Sequence, residues 1–94
     1  MEKLVIIPTF NEKENIEKMI HAIFSLPVLF DMLIVDDGSP DGTAAIVRST
    51  QSVYPGRLFM LEREGKQGLG TAYILGFKWA IKMSYDYIFE MDAD

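Results

Sequence analysis

The run from Leu4 to Ile7 is wholly apolar and β-favouring, and Pro8 closes it. It predicts a short strand buried on both faces, as in a parallel sheet. Beyond Asn11, a candidate N-cap, Ile16, Met19, Ile20, Ile23 and Phe24 recur at helical spacing. Glu12 and Glu14 stand where the first turn of that helix favours acids, and the helix must end before Pro27. Met32 to Val35 is a second apolar run that delivers Asp36 and Asp37, and GSPDGT supplies turn chemistry before a helix near 43–53. Tyr54, Pro55 and Gly56 close that helix. Leu58 to Leu61 predicts a third strand, and REGKQGLG a glycine-rich loop. Ala72, Leu75, Gly76, Trp79, Ala80 and Met83 then form the apolar face of a helix over 71–83. Tyr87 to Met91 is the fourth strand.

The order β-α-β-α-β-α-β, without a linker or internal repeat, specifies an α/β fold: a Rossmann-like, mostly parallel sheet with right-handed crossovers and helices on both faces. PTFNE, DDGSPDG, REGKQGLG and DAD each follow a strand directly. Ligands of open α/β sheets bind beyond the carboxyl ends of the strands, so these four loops are expected to line one rim.

Composition narrows the functional classes. The 94 residues carry a formal charge of -5, and their nine Lys and Arg side chains gather into no basic face, which argues against nucleic acid as a partner. There is no cysteine, hence no disulfide, thiolate nucleophile or zinc ribbon, as suits a reducing compartment. The longest apolar stretch, 23–35, is broken by Pro27 and Asp31 and falls short of the roughly 20 residues that span a bilayer. MEKLVIIP has no signal-peptide pattern, so the expected location is cytoplasmic.

The candidate chemistry lies in the rim. Asp92 and Asp94 point the same way in extended chain, roughly 6.6 Å apart along the strand, and can address one hard cation together. Glu90 shares their parity but sits earlier, as a helper at most. Asp36 and Asp37 can accept hydrogen bonds from a base or a ribose, whereas Asp41 is better read as a cap for the helix starting near Thr43. Arg63 and Lys66 offer cations, while Gly65, Gly68 and Gly70 allow close backbone approach to a phosphate. That loop matches neither the P-loop nor the G-x-G-x-x-G spacing. His21, the sole histidine, lies off the apolar stripe and reads as solvated; without it no Ser-His-Asp triad can form. Trp79 and the methionines fit a core.

IIPTFNEKENI, IVDDGSPDGT, REGKQGLGTAYILGF and MDAD, in this order and spacing, resemble the amino-terminal half of the inverting GT-A glycosyltransferases of family 2. The likeness is greatest to the dolichyl- or polyprenyl-phosphate mannosyltransferases, and it covers essentially the whole chain. VDDGS is widespread in the family, whereas SPDGT followed by REGKxGLGTAY is much more specific to the polyprenyl-phosphate branch.

The resemblance implies that Pro8, Thr9, Phe10 and Glu12 of the first loop, with Asp36 and Asp37, hold the nucleoside. Arg63 and Lys66 join the nucleotide contacts. Asp92 and Asp94 match the D-x-D motif that binds Mg2+ or Mn2+ and the sugar-nucleotide diphosphate. Many relatives have tyrosine where this chain has Phe10, so a phenolic hydrogen bond is lost there but ring packing is kept. The implied reaction is transfer of mannose from GDP-mannose to a polyprenyl or dolichyl monophosphate, at the cytoplasmic face of a membrane. The alternatives are a UDP-sugar donor with another acceptor, or a non-catalytic interaction domain of the same fold. Relatives are longer, so residues 1–94 are expected to be the nucleotide-sugar-binding half of a GT-A domain, a fragment that binds metal and nucleotide without turnover. No catalytic residue is assigned within it. A sheet cut in this way is expected to self-associate through an unpaired edge or an uncovered apolar face.

Overall fold

A computed structural model describes residues 2–65 and 67–93, so Lys66 and Asp94 lie outside the described residues. The elements are β1 (Lys3–Thr9), α1 (Ile16–Phe24), β2 (Asp31–Asp36), α2 (Thr43–Gln51), β3 (Leu58–Glu62), α3 (Leu69–Lys82) and β4 (Tyr87–Glu90). They follow the expected alternation. All three strand pairings are parallel, and the order across the sheet is β3-β2-β1-β4.

The two faces of the sheet follow from the twofold period of a strand. Val5 and Ile7 of β1, with Met32 and Ile34 of β2 and Leu58 of β3, face α1 and α2, where they meet Ile16, Ile20, Ile23 and Val47. Leu4 and Ile6, with Leu33 and Val35, face α3 and meet Ala72 and Ala80. Each fully buried aliphatic side chain here contributes about 1.5–3 kcal/mol relative to exposure. Ala72, Gly76 and Ala80 recur every fourth residue, giving α3 a small-residue face that lets it lie close to β1. A Cβ on Gly76 would stand 2.8 Å from Cγ2 of Ile6.

Because α1 and α2 cover one face while the chain steps from β1 to β3, and α3 covers the other while it steps back to β4, the three crossovers share one hand. The direction of progression reverses between β1 and β4, which makes that crevice the topological switch point.

Four expectations change. Pro8 lies inside β1, not at its end, paired with Val35. Met91 N–H donates to the Ile6 carbonyl as the last bond from the β4 side, and Pro8 shares Ile6's parity. Its missing N–H therefore falls where no strand asks for one. Asn11 is no N-cap: its φ is +55°, and α1 begins only at Ile16. Met83 and Met91 are exposed, not core. His21 is tethered as well as solvated, its Nδ1 2.5 Å from the Tyr54 hydroxyl and its Nε2 3.6 Å from Glu17. Trp79 does pack inward, between Phe59 and Tyr85.

Candidate functional site

A cavity of about 240 Å³ opens at the β1/β4 switch point, lined by Pro8, Thr9, Phe10, Glu12, Asp37, Gly68, Leu69, Asp92 and Ala93. Segments from three of the four rim loops thus reach it together with Asp37 from the fourth. It is slightly smaller than the roughly 300–1,000 Å³ of most ligand pockets.

The loop 10–15 is held in place from a distance. Asn11 N–H donates to Ser39 Oγ, Glu12 N–H to Thr43 Oγ1 and Lys13 N–H to Asp41 Oδ2. Three loop amides ahead of α1 are thus satisfied by the SPDGT segment. The N-cap of α2 is Gly42, which makes no side-chain cap bond; Asp41, one residue earlier, closes the turn into the helix by accepting from both the amide and the hydroxyl of Thr43. The Thr43 hydrogen bond is the largest cause that holds its carboxyl below the usual 3.8, against the opposing effect of burial, with the amides of Lys13 and Thr43 adding to the lowering.

Asp36 and Asp37 separate by strand parity. Asp36, 1% exposed, turns to the α1 side, where Oδ1 accepts from Thr9 Oγ1 (2.6 Å) and Ser39 Oγ (2.7 Å) and Oδ2 from Ser39 N–H (2.9 Å). It does not line the cavity. Asp37 turns to the α3 side, where Oδ1 accepts from Arg63 Nε at 2.6 Å and Oδ2 from Gln67 N–H at 3.1 Å, and it does line the cavity. Arg63 is almost buried; its remaining nitrogens donate to Thr71 Oγ1 and the Gly68 carbonyl. Arg63 therefore pins the glycine-rich loop to β2 and is not among the cavity-lining residues.

On the β4 side, Asp92 lies beyond the last ladder bond. Its Oδ1 accepts from the Tyr73 hydroxyl at 2.9 Å. Burial, and then this hydrogen bond, push the Tyr73 phenol up to about 12. Ala93, between the two acids, is buried in the α1-side core and anchors the segment. Sequence reasoning missed Ser39, Tyr73 and Ala93; the small apolar residue inside DAD was the one available signal. Glu90 is exposed and lines no part of the cavity.

Among the described residues no three His, Cys, Asp or Glu side chains gather closely enough to hold an ion. The donors at hand, Asp92 above all, are hard carboxylate oxygens. They fit Mg2+ or Mn2+ held by one or two carboxylates with phosphate oxygens completing the shell.

The profile of glycosyl transferase family 2 matches residues 4–94. The chain belongs to this family. It is 43% identical over 91 residues to a polyprenol monophosphomannose synthase of Mycolicibacterium smegmatis, covering 97% of this chain and 34% of the relative. To an undecaprenyl-phosphate mannosyltransferase of Micrococcus luteus it is 42% identical over 94 residues, covering 100% of this chain and 38% of that protein. It thus spans little more than a third of these relatives' length. Among solved structures, the mannosyltransferase PcManGT of Pyrobaculum calidifontis, in complex with GDP-Man and Mn2+, superposes with a TM-score of 0.78 at 28% identity, over 84% of this chain and 24% of that one. TarS of S. aureus shares the fold, with a TM-score of 0.84 at 24% identity over 100% of this chain and 28% of that one. No helix among the described residues of this family 2 chain is long and apolar enough to cross a membrane.

Proposed function

We propose that residues 1–94 form the nucleotide-sugar-binding part of a glycosyltransferase that moves mannose from GDP-mannose to a polyprenyl or dolichyl monophosphate, with inversion. The observation that carries this reading is the cavity at the switch point, which combines Pro8, Thr9, Phe10 and Glu12 with Asp37 and Asp92. The names of the two mannosyl-transferring relatives support the lipid acceptor, and the ligands of PcManGT support GDP-mannose with a divalent cation.

Pro8, Thr9, Phe10, Glu12 and Asp37 contact the nucleoside. Asp36 fixes Thr9 and the 36–39 turn, and Arg63 fixes Asp37, so both act on the nucleotide through a neighbour. Asp92 and Asp94 of the D-x-D motif, and Lys66, two residues from the cavity's Gly68 in sequence, are assigned to the diphosphate and its cation. A bound Mg2+ or Mn2+ would stabilise the negative charge growing on the leaving GDP. A monophosphate acceptor is largely ionised near neutral pH, its second pKa being about 6, so no general base is assigned among these residues. A lipid acceptor supports a place for the whole protein at a membrane surface, and the cytoplasmic face is part of the proposal.

Several carboxylates at the cavity repel a diphosphate unless a cation lies between them, so binding is metal-dependent. Calorimetry with GDP, with and without Mn2+, is expected to give binding only with the metal and its loss in Asp92→Asn. Equal binding without Mn2+ refutes the metal assignment, and tighter binding of UDP than GDP refutes the donor. The isolated chain is expected to transfer no mannose.

A further inference from the structure

We propose that Tyr73 is a positioning residue for the cation: its hydroxyl holds one oxygen of Asp92 so that the other is presented to the metal. The inference rests on the proposed function, since it concerns how that site is preorganised.

Strand β4 ends at Glu90, and the Met91 amide makes the last bond to β1. Asp92 is therefore past the ladder that fixes the strand, and its side chain is exposed. Left alone, an aspartate there would sample several rotamers, and holding it in one would cost binding free energy. The Tyr73 hydroxyl donates to Oδ1 of Asp92 at 2.9 Å, which leaves the lone pairs of Oδ2 for a hard cation. Among the described residues this is the hydrogen bond that the Asp92 side chain makes.

Tyr73 is itself held. It packs on the cluster between α3 and the sheet and stacks on Phe77, with ring centroids 6.5 Å apart and 27° between planes. It also lies one turn into α3, the helix that begins with cavity-lining Leu69 after Gly68. A rigid helix thus carries both a wall of the cavity and the strap on its acidic side. Outer partners that orient a metal ligand are worth about 10–100-fold in metal affinity, and exposure of this contact puts it at the lower end.

The test is Tyr73→Phe, which keeps the ring and its stacking and removes only the hydroxyl. Mn2+ is titrated in the presence of GDP, with free Mn2+ read by its electron paramagnetic resonance signal. Water proton relaxation reports how many waters the bound ion keeps, and thermal unfolding is followed without ligands. The expected result is about 10-fold weaker Mn2+ binding, more water on the ion, and an unchanged unfolding midpoint. Wild-type Mn2+ affinity in Tyr73→Phe, while Asp92→Asn loses it, overturns the positioning role and leaves the proposed function standing. Weaker binding that merely tracks a lowered unfolding midpoint also overturns it, as a structural effect. If the wild type and Asp92→Asn alike bind no Mn2+ with GDP, the metal reading itself falls and takes the inference with it.

Discussion

Two adjacent aspartates at the end of β2 do different work because a strand turns successive side chains to opposite faces. Asp36 is enclosed among Thr9 and Ser39, and Asp37 is shared between Arg63 and the glycine-rich loop. Asp41, five residues after Asp36, joins two loops: it accepts from Thr43 at the start of α2 and from the Lys13 amide. Its carboxyl is held below the ordinary value in the folded state. A depressed carboxyl contributes stability that is present above the unfolded pKa and lost as pH falls through the folded one. Asp41→Asn is therefore expected to lower the unfolding temperature at neutral pH, with the difference from wild type shrinking as the pH falls below about 4. Parallel melting curves across that range, with a constant gap, contradict the assignment.

At the scale of elements, the cavity exists because loops brace one another, and Gly38 lies against Gly65 with no room for a side chain. Gly38 has φ +68°, and a Cβ there would stand 2.6 Å from the Gly65 nitrogen and 3.0 Å from the Arg63 carbonyl oxygen. Both are backbone atoms, so neither can swing aside. Left-handed backbone costs a side-chain-bearing residue roughly 1–2 kcal/mol before any clash. Gly38→Ala is expected to destabilise by about 2 kcal/mol or more, measured by urea unfolding. Because the clash falls on the loop that Arg63 and Gln67 tie to Asp37, GDP binding with Mn2+ is expected to weaken even where the protein stays folded. Full stability in this variant would mean that the two loops can separate freely.

Across the whole molecule, the two faces of the sheet are unequally covered. On the α3 side Ile88 of β4 joins the core, while on the other side Tyr87, Phe89 and Met91 are exposed, Phe89 at 44%. Phe30 meets Phe89 edge-on, and Leu29 nearby is 72% exposed. Strand β4 also pairs only with β1, so its outer edge is unpaired among the described residues. An open edge beside an apolar patch promotes association. The chain is expected to self-associate with rising concentration and to bind a hydrophobic dye, and Phe89→Lys to reduce both, as read by light scattering and dye fluorescence. A strictly monomeric wild type that binds no dye contradicts this.

Element order and the rim of strand-end loops were legible in the sequence because they rest on short-range physics: the apolar runs at 4–7 and 32–35, the helical spacing of Ile16, Ile20 and Ile23, and the turn chemistry of GSPDGT. The local role of Asp41 at the turn into α2 was legible for the same reason, since its partner Thr43 is two residues away. The misplaced N-cap at Asn11 and the early end given to β1 at Pro8 have the opposite cause. Ser39, Thr43 and Asp41 serve the 11–13 amides from 28 to 31 residues away, and Pro8 is tolerated because β4 has already ended beside it. Only the tertiary structure put β4 beside β1, which creates the switch-point cavity, brings Tyr73 to Asp92 and leaves Phe89 uncovered. Those outcomes depend on which face each crossover helix takes, and α3 takes the face opposite α1 and α2. That choice is made by the packing of the whole sheet, which no local stretch of the sequence encodes.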